Sequence, residues 1–199
     1  MEIEKRSCTG RIKEERGDDD QSKIVGYAAI FDIETQIFPG FHEKISKGAF
    51  TESIASDDIR AVFNHEPNLV LGRNTSGTLK LFEDDTGLRY EISPPDTQFA
   101  RDLMELIKRQ DVSQSSFAFQ VITDSIVDGQ NGKPDVRTLE KVKLFDISPV
   151  TFPAYTDTTV AVRNLNEWQK KKKEAVPVIY HRLLEWRRRL TLYQIKGEK

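Results

Sequence analysis

Ser115-Ser-Phe-Ala-Phe-Gln-Val-Ile-Thr-Asp-Ser-Ile-Val127 runs into Asp128-Gly-Gln-Asn-Gly-Lys-Pro-Asp135 and then into Val136-Arg-Thr-Leu-Glu-Lys-Val-Lys-Leu-Phe-Asp-Ile147. Two stretches rich in β-branched and aromatic residues, joined by a segment dense in Gly, Asn, Asp and Pro, predict a long antiparallel hairpin. With the turn centred near residue 131, Val127 opposes Val136 and Ser116 falls opposite about residue 147. On the first strand Ser116, Ala118 and Gln120 share one face, and Phe117, Phe119 and Val121 share the other. The aromatics are the ones to fill a core. The small residues are left on an open surface.

Working outward, Ile24–Phe31, Asp58–Phe63, Leu69–Arg73, Gly77–Glu83 and Gly87–Ser93 read as further short strands separated by polar turns. Ser46–Ile54 reads as a short helix with a loop before it. Thr97–Arg109 is the clearest helix: Phe99, Leu103, Leu106 and Ile107 fall on one face and Thr97 is a suitable N-cap. Many short strands with two helices predict an α+β domain, mostly antiparallel, with closure into a barrel as one way to dispose of its edges.

Composition bounds the chemistry. The 199 residues suffice for one domain with a tail. No apolar run approaches the ~18–20 residues that span a bilayer, and the charged N-terminus lacks the apolar core of a signal peptide. A single Cys8 cannot form an internal disulfide, and with three histidines it argues against a zinc site. Gly17-Asp-Asp-Asp20 lacks the spacing and closing glutamate of a calcium loop. Neither metal nor cofactor is expected. Residues 1–163 carry a net charge of -8 and residues 164–199 one of +6, together the overall -2. The expected organisation is therefore a charged N-terminal arm (1–23), a folded domain (24–163) and a basic helical tail (164–199).

Phe63-Asn-His-Glu-Pro67 places His65 just beyond a predicted strand. A hydroxyl becomes a useful nucleophile only when a neighbouring base takes its proton, so Ser116 and His65 form a candidate pair. A polar residue on the wet face of a sheet, and a solvated loop histidine, are the commoner readings of each alone. A third group has to orient the imidazole. The hairpin register brings Asp146 beside Ser116, and Glu140 on the same strand is the alternative acid. Because a slip of one residue exchanges the faces of a strand, this pairing needs the structure.

Taken in order, Gly26-Tyr-Ala-Ala-Ile-Phe31, Lys47-Gly-Ala-Phe50, Phe63-Asn-His65, Leu71-Gly-Arg73, Asp85-Thr-Gly-Leu88, Asp111-Val-Ser113, Ser116-Phe-Ala-Phe119 and Asp146-Ile-Ser-Pro-Val-Thr-Phe-Pro-Ala-Tyr155 resemble the tailed-phage prohead protease family. The resemblance covers roughly residues 24–160. It implies a serine endopeptidase with a fold similar to the herpesvirus maturation protease, a closed or nearly closed β-barrel flanked by helices. It also implies packaging inside the immature capsid, in the bacterial host cytoplasm, with the major capsid protein, scaffold and portal as partners. The implied reaction cuts scaffold, or the scaffolding segment of the capsid protein, and then the enzyme itself. His65 would be the general base and Ser116 the nucleophile, with Asp146 or Glu140 as the acid. Gly72 and Arg73 are candidates for the oxyanion vicinity, beside the plainer reading of a strand-end turn. A homodimer is suggested by the herpesvirus likeness; membrane and direct nucleic-acid partners are not.

The usual Gly-Asp-Val-Ser-Gly-Met-Ser pattern reads Gln110-Asp-Val-Ser-Gln-Ser-Ser116 here, so Gln110 and Gln114 replace glycines and Ser113, Ser115 and Ser116 compete as nucleophile. Alignment through Phe117–Phe119 selects Ser116, and Ser115 points with the core side. The basic tail is expected to be a targeting element or a pro-segment. The rival function is an assembly protein of the same fold that has lost catalysis. A nucleic-acid-binding role would rest on the tail alone.

Overall fold

Val127 lies opposite Val136 in the long hairpin, and the turn between them carries Asn131 and Gly132 at φ +55° and +80°. Both are left-handed, the conformation an Asn-Gly pair adopts most readily. The computed structural model describes residues 3–8, 12–16 and 22–152. Its elements in chain order are β1 (Glu4–Cys8), β2 (Lys13–Arg16), β3 (Ser22–Ile30), β4 (Thr35–Phe38), β5 (Phe41–Ile45), α1 (Thr51–Ser56), β6 (Arg60–Phe63) and β7 (Glu66–Arg73). They continue with β8 (Leu79–Glu83), β9 (Gly87–Ile92), α2 (Gln98–Lys108), β10 (Gln114–Val127) and β11 (Asp135–Val150).

The strands make two sheets. One has the order β1-β10-β11-β5-β4, with β6 also paired to β11 and β7 to β6; the other runs β2-β3-β9-β8. The fold is thus α+β and mostly antiparallel, although β5 and β6 both run parallel to β11. The expected barrel is not formed: among the described residues neither ladder closes on itself. Asp135–Leu139 of β11 pair with β5, while Asp146 and Ile147 pair with β6. The sheet therefore branches at β11 instead of curling round. Phe117, Phe119, Leu139, Leu144 and Ile147 from this sheet share one core with Ile24, Leu79, Leu88, Tyr90 and Ile92 from the other.

Bulges in the hairpin settle which side chains face together. Gln120 and Phe119 pair with Lys143 and Leu144, but Ala118 pairs with Asp146, so Phe145 has no opposite residue in the ladder. From there Phe117 opposes Ile147 and Ser116 opposes Ser148. The register predicted from the turn is off by this one residue. The difference is decisive, because an odd shift exchanges faces: it puts Ser116, Asp146 and Ser148 on one side and Phe117 and Ile147 on the core side.

Four strands were not read from the sequence, three of them carrying charged residues. The charged start, expected as a solvated arm, supplies β1 and β2, and the segment before the first helix, expected as a loop, supplies β4 and β5. In β5 the buried positions alternate as Phe41, Glu43 and Ile45, so the period is that of a strand but its middle member is ionic. Glu43, only 4% exposed, accepts from Arg6 Nε at 2.6 Å and from Arg137 Nη1 at 3.1 Å. Arg6 also reaches Glu4 at 2.5 Å and lies over the Phe119 ring. Each charge has a partner, which is the condition for burying it.

The helices are nearly as read. Thr97 caps α2 by accepting from the Ala100 N–H at 3.3 Å, and the buried face is Ala100, Leu103, Met104 and Ile107, with Leu106 left exposed. α1 begins later than expected, since residues 47–50 form turns. The basic stretch 164–199 lies outside the described residues.

The two missing glycines differ in kind. Gln110 follows α2 at φ +66°, its N–H bonding to the Ile107 carbonyl and the Asp111 N–H to the Leu106 carbonyl. This is a Schellman closure, whose left-handed position favours glycine. Gln114 is an ordinary strand residue opposite Val150. We therefore expect opposite effects. Gln110→Gly should raise the unfolding free energy by about 0.5 kcal/mol, because relief of left-handed strain exceeds the loss of its part-buried side-chain bond to the Ile107 carbonyl. Gln114→Gly should lower it by about 0.5–1 kcal/mol, as glycine does within a strand. Urea unfolding with an unchanged m-value would report both signs.

Candidate active site

Phe63 pairs with Glu66 across β6 and β7, which leaves Asn64 and His65 as the two central residues of the turn. Both are left-handed, at φ +52° and +57°, as a type I′ turn demands. Asn suits the first position, whereas the second is usually glycine. Holding two side chains there costs on the order of 1–3 kcal/mol each. Bonds to the end of β11 offset it. The Asn64 N–H donates to the Pro149 carbonyl at 3.0 Å, the Thr151 N–H to Asn64 Oδ1 at 2.9 Å, and the His65 N–H to Ser148 Oγ at 3.2 Å. His65 thus belongs to a turn pinned to the end of β11, not to a loosely held loop.

From that turn the imidazole reaches over the sheet face opposite the core. Its Nε2 is 2.7 Å from Ser116 Oγ and its Nδ1 is 2.6 Å from Asp146 Oδ1. The His65 side chain is 7% exposed and that of Asp146 19%. A carboxylate against Nδ1 fixes the tautomer: Nδ1 carries the proton, and the Nε2 lone pair faces the serine. Ser116, Ala118, Asp146 and Ser148 share this face because of the Phe145 bulge, and β6 brings the histidine because it pairs with Asp146 and Ile147.

The remaining sequence candidates separate cleanly. Ser115 is buried on the core side, where its Oγ lies 2.8 Å from the Tyr90 hydroxyl; burial pushes that phenol above its ordinary value. Glu140 accepts from Ser125 Oγ at 2.6 Å and stands six residues before Asp146, about 20 Å along an extended strand. It is not brought to His65. Gly72 and Arg73 pair with Ala61 and Arg60 at the base of the β6–β7 hairpin, whose tip carries His65. A Cβ on Gly72 would come within 2.8 Å of the Thr78 carbonyl, so close backbone approach is what requires glycine there. Arg73 is held by Asp58, with Nε 2.7 Å from Oδ1 and Nη2 2.6 Å from Oδ2.

Two neighbours of Ser116 escaped the sequence reading. Ser116 Oγ lies 2.9 Å from the Arg6 carbonyl of β1, so its single proton has that oxygen and His65 Nε2 as competing acceptors. Ser148 contacts both His65 and Asp146. Main-chain contacts leave no trace in side-chain pattern, but the spacing of Ser148 two residues beyond Asp146 is the strand signature of a shared face.

Residues 9–173, well over half of the chain, match the family model of the caudovirus prohead serine proteases. No curated protein and no solved structure matches the chain.

The bidentate bond from Arg73 holds the Asp58 carboxyl well below the ordinary range, at about 2. A carboxyl lowered on folding contributes stability above its unfolded value near 4, and that contribution disappears as pH falls towards 2. Asp58→Asn should accordingly lower the melting temperature at pH 6 and leave it unchanged relative to wild type at pH 2. Thermal unfolding followed by circular dichroism across that range gives the comparison.

Proposed function

Because the chain belongs to the caudovirus prohead serine protease family, we propose that it is a serine endopeptidase in which Ser116 is the nucleophile, His65 the general base and Asp146 the acid that orients the imidazole. The observation that carries this reading is the unbroken relay from Ser116 Oγ through both ring nitrogens of His65 to Asp146, at 2.7 Å and 2.6 Å.

The chemistry follows from the proton positions. Ser116 Oγ attacks the scissile carbonyl carbon while its proton passes to His65 Nε2. Asp146 remains ionised and stabilises the imidazolium so formed. When the tetrahedral intermediate collapses, the same Nε2 proton goes to the leaving amine, and an acyl-enzyme remains. Water, deprotonated by His65, then hydrolyses the ester and restores Ser116. A pinned histidine serves this cycle, since both proton transfers use one nitrogen in one place.

We assign the scaffold, or the scaffolding segment of the major capsid protein, as substrate, and the chain itself as a later one. The site of action is the immature capsid within the host cytoplasm, with the portal as a further neighbour and a homodimer as the proposed assembly. The basic residues 164–199 are proposed as a targeting element or pro-segment. The kinship with the herpesvirus maturation protease is carried by the sequence resemblance, since the sheets are open. An assembly protein without catalysis would gain nothing from the strained Asn64–His65 turn.

Expression of the chain with its cognate capsid and scaffold proteins, followed by intact mass, should give discrete cleavage products. Ser116→Ala should abolish them, and Asp146→Asn should reduce the rate by about 10⁴-fold, the cost of losing the correct tautomer. Glu140→Gln should cut within twofold of wild type. Cleavage that survives Ser116→Ala, or a wild-type chain that leaves every partner whole, would refute the assignment.

A further inference from the structure

We propose that Ser148 is a positioning residue of this site, a hydroxyl that ties the backbone of His65 to the carboxylate of Asp146; the inference rests on the protease reading above. Ser148 is fully buried and lies directly opposite Ser116 in the ladder. Its Oγ is 2.9 Å from Asp146 Oδ1, 3.2 Å from the His65 backbone nitrogen and 3.3 Å from His65 Nδ1.

Counting protons assigns each contact. A serine hydroxyl has one proton to give. The Nδ1–H is committed to Asp146 Oδ1 at 2.6 Å, so Nδ1 has no lone pair to accept with. The Ser148 proton therefore goes to Asp146, and a Ser148 lone pair receives the His65 backbone N–H. One carboxylate oxygen then accepts from both the imidazole and the serine, which fixes its direction. The same hydroxyl satisfies the amide of a residue held at φ +57°. Alanine at this position would leave that amide and that oxygen each short of one bond inside the protein. The loss would fall on the alignment of His65, while surface that a substrate touches would be unaltered.

Partners of this kind, which hold the groups that react, typically change activity 10–100-fold when removed, as documented for metal sites. The test uses the full chain and a fluorophosphonate probe, which labels an activated serine whatever peptide the enzyme prefers. Ser116 Oγ displaces fluoride from phosphorus and its proton leaves through His65. The readouts are the labelling rate by intact mass, kcat and KM for peptide cleavage, and the proton resonance of the His65 Nδ1–H. Ser148→Ala should label and turn over about 10–100-fold more slowly, with KM within twofold and the Nδ1–H resonance broadened by exchange. Ser148→Thr, which keeps the hydroxyl, should restore the rate and the resonance. Ser148→Cys keeps the volume with a weaker donor and should stay slow, which provides the comparison should the alanine variant not fold. Wild-type labelling rates in Ser148→Ala or Ser148→Cys, or a threonine variant as slow as alanine, would overturn the proposal. A wild-type chain that neither labels nor cuts would instead bring down the protease reading on which it stands.

Discussion

The pairing of β10 with β11, and the unmatched Phe145 close to its Ser116 end, is the constraint on which everything else depends. Side chains on a strand alternate, so only an even offset keeps two positions on one face. The turn at Asn131-Gly132 sets one register, and the bulge changes it by one before the strand reaches Ser116. Without that step Ser116 would oppose Ile147, and Asp146 would point away from it. The far edge of β11 completes the arrangement by accepting β6, which delivers the Asn64–His65 turn against Pro149 and Ser148. A constellation drawn from three strands is thereby reduced to the register of one hairpin.

Two unfavourable features persist because the surroundings over-determine them. The left-handed Asn64–His65 pair costs roughly 2–6 kcal/mol, and its four anchoring bonds contribute about 1 kcal/mol each. The terms are comparable, so the turn is held without a large net penalty. The Arg6, Glu4, Glu43 and Arg137 cluster is a second such case. Replaced as a group by apolar residues it need cost nothing, but loss of any one member strands a charge in a low-dielectric interior. It ties β1 to β11 and β5 across the intervening β10.

Much of this was legible in the sequence, and the failures have physical causes. The hairpin, its Asn-Gly turn, the capped helix at Thr97 and the division of Ser116 from Phe117 all rest on local periodicity, which a sequence records directly. The nearness of Asp146 to His65 was reachable only to within one residue, because a bulge has no compositional mark and Phe145 looks like any other strand residue. β1 and β5 were missed since Glu4, Arg6 and Glu43 interrupt the apolar alternation with charges whose partners on other strands lie 37 or more positions away. Arg73 has a partner the sequence does not mark: its guanidinium is paired with Asp58, fifteen positions away. The Arg6 carbonyl beside Ser116 has no side-chain signature at all.

That carbonyl ties the chemistry of the molecule to its opening residues. Ser7 is the neighbour of Ser116 across the sheet, and among the described residues β1 ends the strand order of that sheet. An affinity tag or fusion partner joined ahead of Glu4 would load the very strand that flanks Ser116, the proposed nucleophile. A preparation handled by that strand would then alter the surroundings of the proposed site with no change to His65, Ser116 or Asp146. For anyone purifying this protein, where the handle is attached becomes part of the enzymology.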